Sequence, residues 1–261
     1  MKWDPTQYSR FSGLRDRPFH DLLGRVGADA PAWVTDLGCG SGELTAVLAA
    51  RWPDAAVRGI DSSVDMIGSA RALEGAPANL DFSAGSIQDW EPPQGQGPGV
   101  LLSNAALQWV PGHQELLRHW SKQLDAGSWI AVQVPGNFGA LSHVLMRELA
   151  QTPRWSSALA GVLRGEDSVS EPDEYLELLV EAGYDADVWE TSYQQVLAGS
   201  DPVLDWVRGT ALRPVMNALP AGDYQAFEAE YGQLLRTAYP PKSWGTVFPF
   251  RRIFLVARKR A

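Results

Sequence analysis

The seven residues Asp36-Leu37-Gly38-Cys39-Gly40-Ser41-Gly42 limit the fold of this chain more than any other stretch. They follow the apolar run AWVTDL (residues 32–37) and precede ELTAVLAAR (residues 43–51), where apolar residues recur at helical spacing. Glycines let the backbone turn tightly and come close to a ligand with no Cβ in the way. The helix beyond them offers unpaired N–H groups and a positive dipole end. The rhythm then repeats. Residues 57–60 form a short strand ending at Asp61, and residues 64–73 read as a helix with Ser62 or Ser63 as N-cap. Strands follow at residues 80–84, 100–103 and 129–134, with a Pro/Gly/Gln loop at 92–99 and a helix at 115–124. Strands alternating with helices predict βαβ units and a parallel sheet.

The second half has a different texture. Residues 140–182 are mostly helical, broken near Pro153 and again at 165–172. Residues 187–197 read as a strand and 201–238 as helices punctuated by Pro214 and Pro220. Residues 246–257 (TVFPFRRIFLVA) form the last strand. A strand, a helical excursion and a closing strand predict an antiparallel hairpin interrupted by a helical lid. The expected organisation is one domain over residues 1–261: a helical cap (1–30), a ligand-binding half (31–135), helical insertions (140–245) and the closing strand (246–258).

Composition excludes several classes. There are 22 Lys and Arg against 31 Asp and Glu, a formal net charge of -9, so a general nucleic-acid binder is not expected. The single cysteine, Cys39, cannot form an internal disulfide, which fits a reducing compartment. The first residues lack the apolar core of a signal peptide, and no run of about 18 apolar residues exists to span a membrane. The expectation is a cytoplasmic protein, monomer or homodimer. The 11 tryptophans predict aromatic-walled pockets or a core of large side chains.

The glycine loop discriminates among ligands. A P-loop needs Gly-Lys-Ser/Thr, and no lysine is present. The dinucleotide pattern G-x-G-x-x-G needs glycine where this chain has Glu43. What remains is a D-x-G-x-G-x-G loop, with a generic glycine turn as the bland alternative. Asp61 ends the second strand facing the same crevice, where a carboxylate can hold a ribose diol; a helix N-cap is its competing role. Met66 fits an adenine face or the core. Ser86-Ile87 after the third strand and Asn104 to Trp109 after the fourth open onto the same edge.

With Asp36, Gly38, Gly40, Asp61 and those strand ends in place, residues 30–135 resemble the class I S-adenosylmethionine-dependent methyltransferases. That family has a Rossmann-like seven-stranded, mostly parallel sheet with one antiparallel strand and helices on both faces. Trp3-Asp4-Pro5, Tyr8, Phe11, Arg15, Arg17-Pro18 and Asp21-Leu22-Leu23 are similar to the trans-aconitate methyltransferase branch. So are Ser103 to Trp109 and Pro249-Phe250-Arg251-Arg252, which extends the resemblance over nearly the whole chain.

The resemblance implies S-adenosyl-L-methionine as cofactor. Its methionine part would lie along Gly38 and Gly40, its ribose on Asp61 and Ser62, its adenine near Met66, Ser86 and Ile87, and its amino group near Asn104; Asp36 and Trp109 complete the set. Many relatives have Asp in place of Ser86. The implied acceptor is a carboxylate oxygen of trans-aconitate, with another acid, a phenol or an amine as the alternative. A carboxylate is ionised at pH 7 and needs no general base. A site of cations and hydroxyls is then expected, with no metal; His20, His113, His119 and His143 show no ligand spacing. Candidate positioning groups are Tyr8, Arg17, His20, Arg213, Arg251 and Arg252, with Arg208, Tyr193 and Trp244 beside them. Arg251 and Arg252 alternate across a strand, so only one should face the site. Trp3, Tyr8 and Phe11 are read as a lid or as a helix packed on the sheet.

Overall fold

The alternation of strands and helices is realised as a seven-stranded sheet of order β3-β2-β1-β4-β5-β7-β6. The strands are β1 (Trp33–Leu37), β2 (Ala56–Asp61), β3 (Leu80–Ala84), β4 (Val100–Asn104), β5 (Trp129–Pro135), β6 (Tyr184–Leu197) and β7 (Thr246–Lys259). The computed structural model describes residues 12–261. The first five strands are parallel. β7 is antiparallel to β5, since Gly127 N donates to Lys259 O at one end and Gly136 N to Arg251 O at the other. Chain order runs outward from β1 in one direction through β2 and β3, and in the other through β4 and β5. This reversal leaves a crevice at the carboxyl ends of β1 and β4, the place where open α/β sheets bind ligands.

The helices are α1 (Ser12–Leu23), α2 (Glu43–Arg51), α3 (Val64–Arg71), α4 (His113–Gln123), α5 (Leu141–Ala150), α6 (Ser156–Leu159), α7 (Pro172–Glu181), α8 (Pro202–Arg208), α9 (Arg213–Ala218) and α10 (Ala221–Ala238). The chain forms two compact units. The first runs to Val134 and takes in Ser170–Glu190 and Arg252–Ala261; the second is Pro135–Val169 with Thr191–Arg251.

In the first unit β1 is buried at every position, as a central parallel strand covered on both faces must be. Trp120 and Trp33 bracket Trp90, with ring centroids 5.5 and 6.4 Å away. The Arg51 guanidinium donates to Leu23 O and Val26 O, and Trp52 Nε1 donates to Ala28 O, tying α2 to the carbonyls that follow α1. Tyr184 is buried and its hydroxyl donates to Ser121 O, which starts β6 three residues before the expected Asp187. In the second unit Phe227, Tyr231 and Leu235 form the buried stripe of α10, and the Tyr231 hydroxyl donates to Ser142 O on α5. Trp206 packs on Phe248 and Phe250. Pro172, Pro202 and Pro214 each occupy the first turn of a helix, where the missing N–H has no intrahelical partner to lose. They start helices rather than break them. With Trp33, Trp52, Trp120, Trp155 and Trp206 buried, many of the tryptophans are core. Among the described residues, no helix is long and apolar enough to cross a membrane.

Candidate functional site

The glycine loop adopts a backbone that side chains resist. Gly38, Gly40 and Gly42 have φ of 82°, 57° and 87°. A Cβ on Gly38 would lie 2.2 Å from Ala106 Cβ and 3.6 Å from Ile87 Cδ1, so the loops after β1, β3 and β4 meet at this glycine. A Cβ on Gly42 would strike the Phe82 ring at 2.5 Å. Among the described residues, nothing lies within 4 Å of a Cβ on Gly40 at the crest of the loop. Gly38 N and Cys39 N donate to Ile60 O at 2.7 and 3.1 Å, holding the loop against the end of β2.

Two carboxylates support this loop in different ways. Asp61 Oδ2 accepts from Gly40 N at 3.0 Å and Oδ1 from Ser63 N at 2.8 Å. Each oxygen keeps a further lone pair. The cap of α3 is Ser63, whose hydroxyl accepts from Met66 N. Asp36 is 4% exposed and accepts from Thr45 Oγ1 at 2.7 Å. Burial pushes its carboxyl up to about 6; the Thr45 hydrogen bond opposes this and the Asp61 charge adds to it. Asp36 is therefore a brace under the loop, one step removed from any ligand. Burial, with the charges of Asp36 and Asp61, raises the Cys39 thiol, which makes it inert filler rather than a nucleophile. Ser62 is exposed, whereas Met66 is buried on the inner side of α3 with Ile67 and Ala70, which places it in the core.

The other strand ends complete the crevice. Ser86 Oγ accepts from Gln88 N at 3.2 Å, which leaves its proton free to donate elsewhere. Trp109 closes the short 3₁₀ turn Leu107–Trp109 and is half-buried. Asn104 Oδ1 is buried and makes no hydrogen bond among the described residues. Ala105 has φ 56°, the only positive φ outside glycine among the described residues. That conformation costs about 1–2 kcal/mol. It is held by Ala105 N donating to Gln133 O and by Gln108 Nε2 donating to Ala105 O.

The expected cations divide sharply. Arg17 has a side chain 67% exposed beside Asp21, and His20 is exposed with its ring edge-on to Phe19. Phe19, Leu22 and Leu23 form the buried face of α1, and Arg17 and His20 stand on its exposed part. Arg208 is bound by Asp205 and by both oxygens of Glu228, a structural network rather than a clamp. Trp244 is exposed and Tyr193 buried. Arg213 is buried at the start of α9 in the second unit. Arg251, in the same unit, is pinned through its backbone: its N donates to Asn137 Oδ1 and its O accepts from Asn137 Nδ2, both at 2.8 Å. Arg252 is buried in the first unit. The alternation expected of this pair holds, with Arg252 inward and Arg251 half-exposed. Tyr8, Trp3 and Phe11 lie outside the described residues.

Other polar residues escaped sequence reasoning. In the second unit, Arg147 Nη1 donates to Phe138 O and Arg164 lies 5.1 Å over the Phe138 ring. Burial lowers His143 to about 4, helped by the charges of both arginines, and lowers Arg164 to about 10. A cavity of about 310 Å³ beside Arg147 is also lined by Gln151, Ser156 and Leu159. Charges on an amphipathic helix read as a solvated face, so nothing in the sequence set Arg147 apart. Among the described residues, no three His, Cys, Asp or Glu side chains cluster as metal ligands would.

With this geometry in hand, comparison with known proteins is informative. The profile of the methyltransferase domain family matches residues 34–127, which span β1 to the end of α4. Trans-aconitate 2-methyltransferase of Streptomyces avermitilis is 51% identical over 99% of this chain and 97% of its own length. The chain belongs to the trans-aconitate 2-methyltransferase family. The relative of that name from Rhodococcus jostii is 50% identical over 98% of this chain and 99% of its own. A phosphoethanolamine N-methyltransferase of Haemonchus contortus, solved with S-adenosyl-L-methionine, shares the fold: TM-score 0.56 and 14% identity over 94% of this chain and 53% of that one. Membership of the family agrees with the mostly parallel sheet and its antiparallel β7.

Proposed function

We propose that the protein transfers the methyl group of S-adenosyl-L-methionine to a carboxylate oxygen of trans-aconitate, giving the monomethyl ester and S-adenosylhomocysteine. The observation that carries this reading is the near-full-length identity of about half to relatives of that name. The crevice fits the cofactor on its own terms. Among the described residues nothing crowds Gly40 at the loop crest, Asp61 keeps lone pairs for a diol, and the buried Asn104 Oδ1 has no donor.

When bound, the cofactor supplies a methyl group on a sulfonium and leaves as a neutral thioether. The chain's residues position and desolvate. Asp61 would accept from the ribose hydroxyls while bracing Gly40, and Gly38 and Gly40 would give the methionine part room beside the backbone. Ser86 and Ile87 would border the adenine. An ionised carboxylate attacks without losing a proton, so no residue has to act as a base. Asp36, though raised to about 6, is buried and bound by Thr45, which leaves it ill placed to serve a phenol or an amine. Arg252, in the same unit as the crevice, is the cation we assign to the acceptor, on the ground that a tricarboxylate needs guanidinium partners. We place the enzyme in the cytoplasm, acting on a small acid rather than on nucleic acid.

The test is a transfer assay with methyl-labelled cofactor over a panel of tri- and dicarboxylates, phenols and amines. Label should appear in a base-labile ester of trans-aconitate, one equivalent per S-adenosylhomocysteine released. Label in an ether or a methylamine would replace this reading with another acceptor class.

A further inference from the structure

Gln133, on β5, is 0% exposed. Its Oε1 accepts from Arg252 Nη1 at 3.2 Å. A guanidinium can only donate, so this contact fixes the amide with its oxygen toward Arg252 and its NH₂ turned away. That Nε2 is shut off from solvent and makes no hydrogen bond among the described residues. A buried donor left unpaired costs about 1–3 kcal/mol. Directly beside it in register on β4 is Asn104, whose buried Oδ1 is also unbonded. The two do not satisfy each other. Asn104, Gln133 and Arg252 thus form a row across β4, β5 and β7 in the first unit, at the end of the sheet where the crevice opens.

We propose that Gln133 and Arg252 together bind a carboxylate of the methyl acceptor that is not the one methylated, making Gln133 a specificity-determining residue. The inference rests on the acceptor class proposed above. With the amide oxygen held by Arg252, a carboxylate bridging the pair would accept from Gln133 Nε2 with one oxygen and from a further guanidinium N–H with the other. With the methionine part along the β1 loop and its amino group at Asn104 on β4, we give the cofactor carboxylate to the β1 side of Asn104 and leave the β5–β7 side to the acceptor. Asp61 stands on β2 and Gln133 on β5, three strands apart, or about 14 Å at the usual interstrand spacing. Arg252 stands one strand further. Asn104, on the strand between, is left for a donor on the cofactor. Because Gln133 Nε2 is shielded from water, an acceptor lacking the carboxylate leaves that donor unpaired and is rejected strongly.

The decisive variant is Gln133→Glu, which keeps an acceptor for Arg252 but replaces the NH₂ with a like charge to the ligand. Wild type is assayed first; failure to methylate any carboxylic acid would overturn the proposed function before a variant is made. With wild type active, Gln133→Glu should raise the KM for trans-aconitate about 100-fold, the scale of an unpaired buried charge. The Kd for S-adenosylhomocysteine should stay within about threefold. A trans-aconitate diester with one free carboxylate, which does not use the clamp, should lose little. Equal losses for the triacid and the diester would make Gln133 merely structural. A cofactor Kd that weakens in step with the acceptor KM would give the carboxylate to the cofactor; either result overturns the proposal. Should the Glu variant not fold, Gln133→Met preserves volume and removes the orphan donor. Loss of the orphan donor offsets part of the loss of Arg252's Oε1 acceptor, and the folded variant should raise the acceptor KM about tenfold; an unchanged KM sinks the inference.

Discussion

Replacing Asp61 tests two functions of one carboxylate. Its oxygens accept from Gly40 N and Ser63 N at 3.0 and 2.8 Å, and their remaining lone pairs are assigned to the ribose diol. Hydrogen bonds to a charged group contribute about 1.5–3 kcal/mol each. Losing two to the ribose gives about 3–6 kcal/mol, or about 10²–10⁴ in Kd. Asp61→Ala should therefore weaken S-adenosylhomocysteine by that factor in a calorimetric titration. Asp61→Asn keeps one accepting oxygen but turns an NH₂ toward a backbone donor, so it should fall between Ala and wild type. The loop bonds report separately. Water partly replaces them in the variant, so a net loss of about 2 kcal/mol should lower Tm by about 4–8 °C for a chain of this size. A cofactor analogue without ribose hydroxyls separates the roles. Wild type should bind it as weakly as the Ala variant binds the natural product, and the Ala variant should not distinguish the two ligands. If the folded variant bound S-adenosylhomocysteine as tightly as wild type, Asp61 would be a loop brace alone.

Asp36→Asn removes a buried charge whose acid is raised from 3.8 to about 6, a difference worth about 3 kcal/mol. The native state holds this proton more tightly than the unfolded state, so the cost is complete above pH 6 and fades as pH falls toward 3.8; urea midpoints should rise in the variant at pH 8 and match wild type near pH 4. His143 runs the other way: lowered from 6.5 to about 4, it contributes stability that is complete above pH 6.5 and is lost as pH falls toward 4. His143→Phe should flatten that loss in the same titration, and an unaltered slope would show the ring to be accessible. Ala105→Gly relieves a left-handed alanine and should raise stability by up to about 1 kcal/mol, read as a shift in urea midpoint at constant m.

What the sequence disclosed is what local rules control. Gly38, Gly40 and Gly42 announced a turn because their backbone is left-handed; the strand at 80–84 showed in the alternation of Leu80, Phe82 and Ala84 with Asp81 and Ser83, and that at 129–134 in its apolar and β-branched residues around Gln133. Asp61 and Asn104 were legible because a strand end fixes where its last residue stands. The cations were not. Arg208 and Arg252 look alike in the chain; only the fold gives one Asp205 and Glu228 and the other Gln133. Arg17 and His20 depended on which face of α1 turned inward, and Phe19, Leu22 and Leu23 decided that. Gln133 carried no signal at all, since a single glutamine in a strand reads as a solvated residue until its neighbours bury it. Pro214 and Pro220 were legible as punctuation because each stands where one helix of the second unit gives way to the next.

The account turns on one spatial relation, and a crystal of the enzyme with S-adenosylhomocysteine and trans-aconitate measures it. The ribose diol should lie within hydrogen-bond distance of Asp61, the sulfur should face an acceptor oxygen across the space of one methyl group, and a second acceptor carboxylate should meet Gln133 Nε2 and Arg252. A nucleoside whose diol lies away from Asp61, or an acceptor bound through no contact with Gln133 or Arg252, would contradict it.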